Sequence, residues 1–501
     1  MRQRVTAKFP TFAGGLNLAA DAASLGEGEM RRAENARLTE YGGATRRGGS
    51  KRLTATALGS PSAVRGVYAF RTASDVELLA VCNGELLTGA YAVPISLNAE
   101  TGALSASQPP SFATFRHGSG EACFIADGGL LNHWDGTTLT INVANTPAVT
   151  QLAVYNERLY GITGTSEALY WSSLGNGATL GVVASGGGTA NVRTFGNQKL
   201  TGLLALGGSL LLFHVDGISR FTGVGIDDIN IEAGTRGVSQ DVGTIAPFSL
   251  VSVETTGYVA TERGVYEVTE SGVRDISAKI APVFADLADE DLAGIRAVHR
   301  REKREVWFMI PSKGIYAYNY RLQAWAGPWV DGVLDPAITC LCEAVDTNGR
   351  SIVLAGDEDG YIRHCDFPDV FVDNMDSDGT GGAAYTFAVQ PRRLFFGGIG
   401  GEVSLRWAHV MADFRGSEDA TLSWLTPSAG GTFTMEGAAT ATWDSGALWD
   451  SGLAWDSGNT SVEKVPIHGR GPFVDLTLAD DGESDAVFSR VEVEGFAMNR
   501  R

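Results

Sequence analysis

Four short stretches decide the fold class of this sequence, because each joins a glycine-containing turn to an alternating apolar strand. They are DGISRF (216–221), RGVYEV (263–268), KGIYAY (313–318) and DGYIRH (359–364). Glycine in such a turn supplies the positive φ that closes a short hairpin, and residues two apart then face one side of the strand. Hairpins that recur in this way predict a fold assembled from many similar β units.

Around these hairpins, residues 60–370 divide into units that each contain an apolar strand, a turn and a second strand. The units begin near Val64, Ala122, Gln151, Leu200, Leu250, Ile295 and Thr339. Spacings of roughly 30 to 60 residues suit a β-propeller, in which each four-stranded blade packs only against its neighbours. We therefore expect about six to eight blades. The repeat has no exact motif, so an array of β-sandwiches stays open as an alternative.

The rest of the chain predicts two smaller parts. Residues 1–59 are expected to form an irregular arm with a short helix near Glu29, which docks on a neighbouring ring and is dispensable for folding of the propeller. Residues 371–501 alternate apolar and polar side chains and predict a C-terminal β domain resembling a sandwich, with an acidic, turn-rich boundary at 366–380. A second short helix is expected between 280 and 295. The fold class is thus all-β.

Composition limits the function classes. The chain has 501 residues, 64 of them glycine, and a formal net charge of −19. Proteins that bind DNA by neutralising phosphates need clustered lysine and arginine, so DNA binding of that kind is not expected. Five scattered cysteines indicate a reducing, cytosolic place of synthesis, and neither a signal peptide nor a membrane-spanning run is apparent.

Reactive side chains form no catalytic or cofactor motif, so we expect neither an enzyme nor a bound cofactor or metal. Cys340, Cys342, His364 and Cys365 are candidate zinc ligands, but adjacent residues of a strand point to opposite faces, which favours small core residues instead. Acidic clusters indicate solvated loops. The basic run 299–305 indicates a hairpin tip, either solvated or paired with an acidic neighbouring subunit.

A tandem of three Trp-Asp-Ser-Gly motifs begins at Trp443, Trp449 and Trp455. An Asx-type turn at each aspartate would place the three indoles at regular spacing. They are expected either to pack within a sheet or to stack against a partner, and the sequence leaves both uses open.

Several motifs resemble those of a known family. The matching residues are Gly14, Gly15, Leu16 and Asn17, then Gly28-Glu29, Asn35 and Arg46-Arg47-Gly48-Gly49, followed by similar stretches up to about residue 370. With this pattern the sequence resembles the nozzle or hub proteins of short-tailed bacteriophages, also described as DNA-stabilisation or tail tubular proteins.

The resemblance implies a structural virion protein of the phage tail, made in the host cytoplasm, that forms a homohexameric ring. Such a ring would contact an adaptor or portal ring and tail fibres, tailspikes or a needle, without a membrane. It would retain packaged double-stranded DNA and conduct it through its lumen without specific binding. Candidate assembly contacts are Gly14, Gly15, Leu16, Asn17, Asn35, Arg46 and Arg47, together with Trp443, Trp449 and Trp455.

Two alternatives stay open. One is a minor tail protein of a long-tailed phage or gene-transfer particle. The other is a glycan-binding or glycan-cleaving propeller, although the Ser-X-Asp-X-Gly-X-X-Trp turns and signal sequence of secreted sialidase-type propellers are not present in this sequence.

Overall fold

The architecture is that of a computed structural model. The residues described are 3–59, 62–72, 76–118, 120–193, 199–223, 229–233, 236–346, 348–396, 402–415, 419–435, 440–441, 454–455, 460–480, 482 and 485–498. Together they form an all-β molecule in which a β-propeller is joined to a β-sandwich. The predicted fold class is confirmed.

The N-terminal segment is not the irregular arm expected from the sequence, because residues 4–52 contribute six strands to sheets formed with later parts of the chain. These strands are β1 Arg4–Phe9, β2 Gly15–Leu16, β3 Glu29–Glu34, β4 Ala36–Leu38, β5 Ala44–Arg46 and β6 Ser50–Arg52. The helix expected near Glu29 is strand β3. Its sequence, EMRRAE, favours a helix by intrinsic propensity, but Met30 and Ala33 are fully buried between sheet partners, and this pairing overrides the propensity.

The propeller consists of seven four-stranded units, called blades 1 to 7 in chain order. Blade 1 contains β7 Val64–Arg71, β8 Val76–Cys82, β9 Glu85–Ala90 and β10 Asn98–Ala99, and blade 2 contains β11 Ser111–His117, β12 Gly120–Ala126, β13 Asn132–Trp134 and β14 Leu139–Thr140. Blade 3 contains β15 Gln151–Tyr155, β16 Arg158–Ile162, β17 Ala168–Trp171 and β18 Gly188–Asn191. Blade 4 contains β19 Leu200–Leu206, β20 Ser209–His214, β21 Ile218–Thr222 and β22 Asn230–Glu232.

Blade 5 contains β23 Val251–Val253, β24 Thr256–Thr261, β25 Gly264–Thr269 and β26 Gly272–Asp275, and blade 6 contains β27 Arg296–Arg300, β28 Glu305–Ile310, β29 Gly314–Asn319 and β30 Ala324–Trp329. Blade 7 contains β31 Ile338–Val345, β32 Ser351–Asp357 and β33 Ile362–Cys365, and β6 is its fourth strand. Six of the seven units are separate four-stranded sheets. Blade 6 continues through β30 into a longer sheet.

The four hairpins singled out in the sequence each join the second strand of a blade to the third. Gly264, Gly314 and Gly360 have φ values of +136°, +95° and +90°, as the turn requires. Gly217 does not adopt a positive φ, although its turn forms and its carbonyl accepts a hydrogen bond from His214 N at 2.8 Å. The hairpin prediction is therefore confirmed, and the turn glycine has the expected positive φ at three of the four turns.

Apolar clusters fill the interfaces between neighbouring blades and close the ring. Blade 7 packs on blade 1 through a cluster that includes Val64, Cys340 and Leu354. The outermost strand of blade 7 is β6, in which Ser50 lies opposite Cys365. A strand that precedes the first blade in the sequence thus completes the last one.

The C-terminal part forms a sandwich with the N-terminal strands. Its strands are β34 Val372–Asp373, β35 Ala383–Ala384, β36 Phe387–Pro391, β37 Leu394–Phe395, β38 Val403–Arg415, β39 Ala420–Leu425, β40 Gly430–Met435, β41 Thr440–Ala441, β42 Ala454–Trp455, β43 Thr460–Pro466, β44 Arg470–Gly471, β45 Phe473–Asp480 and β46 Asp485–Ala497. One sheet has the order β4-β5-β46-β38-β43, with β1 also paired to β46. The other continues from β30 through β3, β36, β45 and β39 to β40.

A single apolar core connects the sandwich to the propeller. It contains Phe9 from the N-terminal segment, Phe308 and Trp325 from blade 6, and Leu478 and Val491 from the sandwich. The expected division at residues 59 and 370 therefore does not separate independent cores.

Helices are short. Within the described ranges, the bounded 3-10 helices are Gly177–Thr179, Val183–Ser185, Pro247–Ser249, Ala278–Val283 and Arg301–Lys303, and the α-helix is Asp289–Ala293. The helical segment expected between 280 and 295 is thus one 3-10 helix followed by a short α-helix. None of the helices in the described ranges is long and apolar enough to cross a membrane.

Candidate functional site

Six of the seven predicted contact residues of the N-terminal segment are buried inside the chain, and Gly14 is partly exposed. Asn35, Arg46 and Arg47 lie where the propeller joins the sandwich. We call this region the junction and define it by Asn35, Arg46, Arg47, Asp373 and Tyr385. All five side chains are at most 4% exposed. Asn35, Arg46 and Arg47, the predicted assembly contacts, therefore lie inside the chain, where each forms hydrogen bonds to other residues of the same chain.

The first part of the motif fastens the N-terminal segment to itself and to blade 6. Gly15 has a φ of +69°, and a Cβ atom there would lie 2.7 Å from the carbonyl oxygen of Trp325, so only glycine fits this close approach. Leu16 is buried in the common core. Asn17 donates from Nδ2 to Glu29 Oε2 at 2.9 Å and accepts from the backbone of Ala19 at 3.1 Å. These contacts are intramolecular, so Gly15, Leu16 and Asn17 hold the fold.

Gly14 lies beside this turn, where a Cβ atom would meet the carbonyl carbon and oxygen of Gly28 at 2.7 Å. The glycines at 14 and 28, both part of the family-like pattern, therefore allow two backbone segments to touch. This contact also lies within the chain.

Asn35 connects three parts of the molecule through one amide. It has a φ of +48°, a left-handed conformation that asparagine tolerates better than most residues. Its Nδ2 donates to Asp331 Oδ2 at 2.9 Å and to the carbonyl of Thr386 at 2.8 Å, while Oδ1 accepts from Arg47 Nε at 3.1 Å. The propeller, the sandwich and the N-terminal segment thus share one hydrogen-bonded side chain.

Arg47 forms a two-pronged ion pair with Asp373. Its Nη1 donates to Oδ1 at 2.9 Å and its Nη2 to Oδ2 at 2.5 Å, and the guanidinium lies 4.0 Å from the centre of the Tyr385 ring. Burial favours the neutral form of Arg47, but Asp373 outweighs it and raises the pKa of the guanidinium. The acidic segment expected as an exposed boundary therefore contributes a buried carboxylate to the junction.

Arg46 stacks on the same tyrosine from a distance of 4.4 Å. It donates hydrogen bonds to the carbonyls of Gly482 and Tyr385 and lies 3.7 Å from Asp480. Two adjacent arginines thus engage one aromatic ring and two aspartates on different strands. This combination of planar stacking and fixed hydrogen-bond direction is one that lysine would not reproduce.

A second buried ion-pair cluster, which the sequence did not reveal, lies next to the junction. Arg37 donates to Glu305 at 3.1 Å and to Asp366 at 2.6 Å, and Arg300 lies 3.2 Å from Asp366. Burial raises the pKa of Glu305, whereas for Asp366 the two arginines outweigh burial and lower the pKa. One feature of the sequence could have indicated this cluster. Glu305, a carboxylate, directly precedes the apolar run Val306–Ile310 and is therefore expected to be buried with a partner.

The basic run 299–305 forms the tip of the β27–β28 hairpin, as predicted. Acidic residues of the same chain pair with it: Arg304 lies 3.1 Å from Glu40, and Arg301 lies 3.4 Å from Glu343. These pairs are exposed or half-buried. The tip therefore does not require an acidic neighbouring subunit.

Of the thiols considered as zinc ligands, Cys340 and Cys365 are buried and Cys342 is partly buried. Burial raises the pKa of Cys340 to about 11 and that of Cys342 and Cys365 to about 12, which keeps these thiols protonated at neutral pH. Nδ1 of His364 lies 3.0 Å from the Tyr91 hydroxyl, and the two groups share a hydrogen bond. Among the described residues, no group of three or more His, Cys, Asp or Glu side chains is placed to hold a metal ion.

The tryptophan tandem lies almost entirely outside the described residues. Trp443 and Trp449 fall there. Trp455 is in β42, which pairs in parallel with β41. Its role stays a prediction.

No protein-family model and no curated protein matches this chain. Among solved structures, it is similar to the extracellular domain of the one component system BT4673 from B. thetaiotaomicron, with 10% identity and a TM-score of 0.43 over 62% of this chain and 39% of that one. The extracellular domain described as that of the hybrid two component system BT4673 gives 10% identity and a TM-score of 0.43 over 70% and 45%. The N-terminal domain of Nup159 gives 10% identity and a TM-score of 0.37 over 67% and 98%.

The matched part thus spans less than half of the two BT4673 domains. At this level of similarity, none of the three structures bears on the function of the chain.

Proposed function

We propose that this chain is a structural subunit of a bacteriophage tail, of the nozzle or hub kind, that assembles into a ring around the DNA conduit. The observation that carries the proposal is the junction. Asn35, Arg46 and Arg47, which give the sequence its resemblance to nozzle proteins, are in contact with one another through a shared network of buried side chains.

A conduit subunit has to keep its neighbours at fixed angles while DNA passes under pressure. Rigid attachment of one structural unit to another serves that purpose. The junction provides it by bidentate ion pairing between Arg47 and Asp373, by two guanidiniums stacked on Tyr385, and by an apolar core common to blade 6 and the sandwich. Such a subunit would present the propeller and the sandwich to its neighbours as one body.

The charge of the chain supports the same proposal. With 58 acidic and 39 basic residues, the chain carries a net charge of −19. A ring of six such chains would repel phosphates from its wall, so that DNA slides without being held. In this proposal the ring docks on an adaptor or portal ring and carries fibres, tailspikes or a needle.

The mass of the purified chain in solution and on particles tests the proposal. Light scattering and negative-stain microscopy should reveal a ring of about six copies with a central hole, formed either by the chain alone or on addition of tail particles lacking it. A chain that stays monomeric, never joins a particle and instead binds or cleaves a bacterial surface glycan would overturn the proposal.

A further inference from the structure

The propeller encloses an open cavity on its axis, with a volume of 330 Å³. All seven blades contribute to its lining, because the innermost strand of each blade, or the segment leading into it, faces the axis. Small-molecule sites in proteins have volumes of about 300–1,000 Å³ and are mostly apolar with a few placed polar groups. The axial cavity meets the size condition, so the chemistry of its wall decides what it can hold.

The wall carries two arginines and no carboxylate. Arg65 comes from β7 in blade 1, and Arg296 comes from β27 in blade 6. Apolar and aromatic side chains form most of the remainder, including Phe248 and a stacked pair of Tyr68 and Phe112 with ring centres 5.2 Å apart. The cavity thus joins positive charge to an apolar surface, although the chain as a whole is strongly acidic.

Arg296 is held in place without an acidic partner. Its guanidinium stacks over the Phe248 ring at 4.8 Å and donates to three backbone carbonyls, those of Thr339, Ala293 and Ile295, at 3.2–3.3 Å. No carboxylate lies within 4.0 Å of it in the described part of the chain. Burial accordingly lowers the pKa of Arg296. The carbonyls orient the guanidinium but leave its positive charge without a counter-charge.

Five of the six arginines that are buried in the described ranges contrast with Arg296, because each has a carboxylate within 4.0 Å; they are Arg37, Arg46, Arg47, Arg300 and Arg363. The sixth, Arg158, donates to the backbone carbonyls of Ser172 and Gly186. Buried charges are normally paired, because removal of an ion from water without a partner is unfavourable by several kcal/mol. An oriented guanidinium that faces a cavity without a carboxylate therefore indicates that an anion completes the pair.

Arg65 lies at an irregularity of its strand. The pairing of β7 with β8 shifts register between Val64 and Gly66, so Arg65 is the extra residue of a β-bulge. Bulges re-aim a side chain relative to the regular sheet. No hydrogen bond or ion pair joins the Arg65 guanidinium to another residue in the ranges that the structure describes, and it lines the same cavity as Arg296.

A second cavity of 250 Å³ adjoins the first. Gln151, Phe248 and Arg296 line both, so the stacked Phe248–Arg296 pair lies between them. The second cavity contains Asp127, whose carboxylate accepts from the backbone of Ser105 at 2.8 Å and of Gly129 at 3.1 Å. Asp127 thus lines only the second cavity, whereas Arg65 lines only the first and Arg296 lines both. An anion would be favoured in the first cavity, whose wall has two guanidiniums and no carboxylate.

We propose that the axial cavity binds a small organic oxyanion, in which a carboxylate or phosphate is attached to an apolar group. The oxyanion lies against the guanidiniums of Arg296 and Arg65, which have the fork geometry that matches carboxylate and phosphate. The apolar group lies against Phe248 and the Tyr68–Phe112 pair. This site is independent of the ring that the proposed function requires.

Calorimetric titration of the full chain with phenyl phosphate and with benzoate tests the proposal, with benzyl alcohol as the uncharged comparison. One binding site per chain is expected for at least one of the two anions, and none for the alcohol. Arg296→Gln should weaken binding about tenfold or more, because a charged hydrogen-bond partner is lost. Arg65→Gln should weaken it to a smaller extent, and Arg296→Lys should retain part of it.

Arg263→Gln is the matched control, because Arg263 is an exposed arginine of blade 5 that lies 3.7 Å from Glu262 and does not line the axial cavity. It should leave binding unchanged. If Arg296→Gln prevents folding, as circular dichroism would reveal, Arg65→Gln decides the question alone. The proposal is overturned if neither anion binds more tightly than benzyl alcohol, or if binding is the same in Arg65→Gln as in the control.

Discussion

Arg47 stabilises the junction because its charge and that of Asp373 are buried together. Replacement by methionine keeps most of the apolar length but leaves the aspartate buried and unpaired. We expect Arg47→Met to lower the free energy of unfolding by about 3–5 kcal/mol, the usual effect of breaking a buried ion pair from one side. Urea denaturation followed by tryptophan fluorescence measures the change.

Two variants make this prediction specific. Arg47→Met combined with Asp373→Leu should recover much of the lost stability, because the unpaired charge is then removed. Arg263→Met removes an exposed arginine, 62% accessible, and should change the free energy of unfolding by less than about 0.5 kcal/mol. An equal effect of Arg47→Met and Arg263→Met would contradict the account of the junction.

Two buried histidines should make stability depend on pH. Burial lowers the pKa of His133 and of His364 to about 4, helped by His117 in one case and Arg300 in the other. Between about pH 6.5 and 4, the unfolded chain binds protons at these positions while the folded chain does not. Stability is therefore complete above pH 6.5 and decreases as the pH falls toward 4.

The urea midpoint measured in steps from pH 7 to pH 4 should fall accordingly. The double variant His133→Gln, His364→Asn cannot titrate at these positions, and asparagine can still bond the Tyr91 hydroxyl. Its midpoint should vary less over the same range. Identical pH profiles for the two proteins would exclude the histidines as the cause.

Among the elements, β6 has the most consequence for the propeller, because it completes blade 7. Removal of residues 1–55 deletes β6 together with the N-terminal strands of the sandwich. We expect this truncation to destabilise both parts, and not to leave the intact propeller that an external arm would allow. Thermal denaturation and limited proteolysis of the purified chain measure the effect.

A shorter truncation separates the two contributions. Removal of residues 1–47 deletes β1–β5 but retains β6 at 50–52. The region 60–370 should resist proteolysis longer in this chain than in the one that lacks residues 1–55. If both truncated chains retained a propeller as resistant as that of the full chain, β6 would not be needed for closure.

The sequence predicted elements with local signals and missed those that depend on distant partners. The hairpins at 263–268 and 313–318 were predictable because turn glycines and alternation lie within a few residues. Strand β3 was not, since EMRRAE favours a helix and becomes a strand only between β30 and β36. For the same reason Arg46 and Arg47 were noticed as a motif but expected on a surface: Asp373, Tyr385 and Asp480 lie more than 300 residues away in the chain.

The whole molecule is subject to self-repulsion from its net charge of −19. Added salt screens this repulsion over distances longer than the Debye length, which is about 30 Å at 0.01 M and about 8 Å at 0.15 M. We therefore expect the urea midpoint at pH 7 to rise between 0.01 M and 0.15 M NaCl. The buried ion pairs of the junction are screened much less.

The same measurement near pH 4.8, the calculated isoelectric point, is the control. Net repulsion vanishes there, so the dependence on salt should become small. A midpoint that falls with salt at pH 7 would mean that attractive surface ion pairs outweigh the net charge.

Closure of blade 7 by β6 also imposes an order on synthesis. Residues 50–52 leave the ribosome long before their partner strand at 362–365 exists. At about 5–20 residues per second, the delay is on the order of tens of seconds. Throughout that interval the early strands have unpaired edges, so a chaperone that shields the nascent N-terminal segment should raise the yield of native chains more than one added after translation is complete.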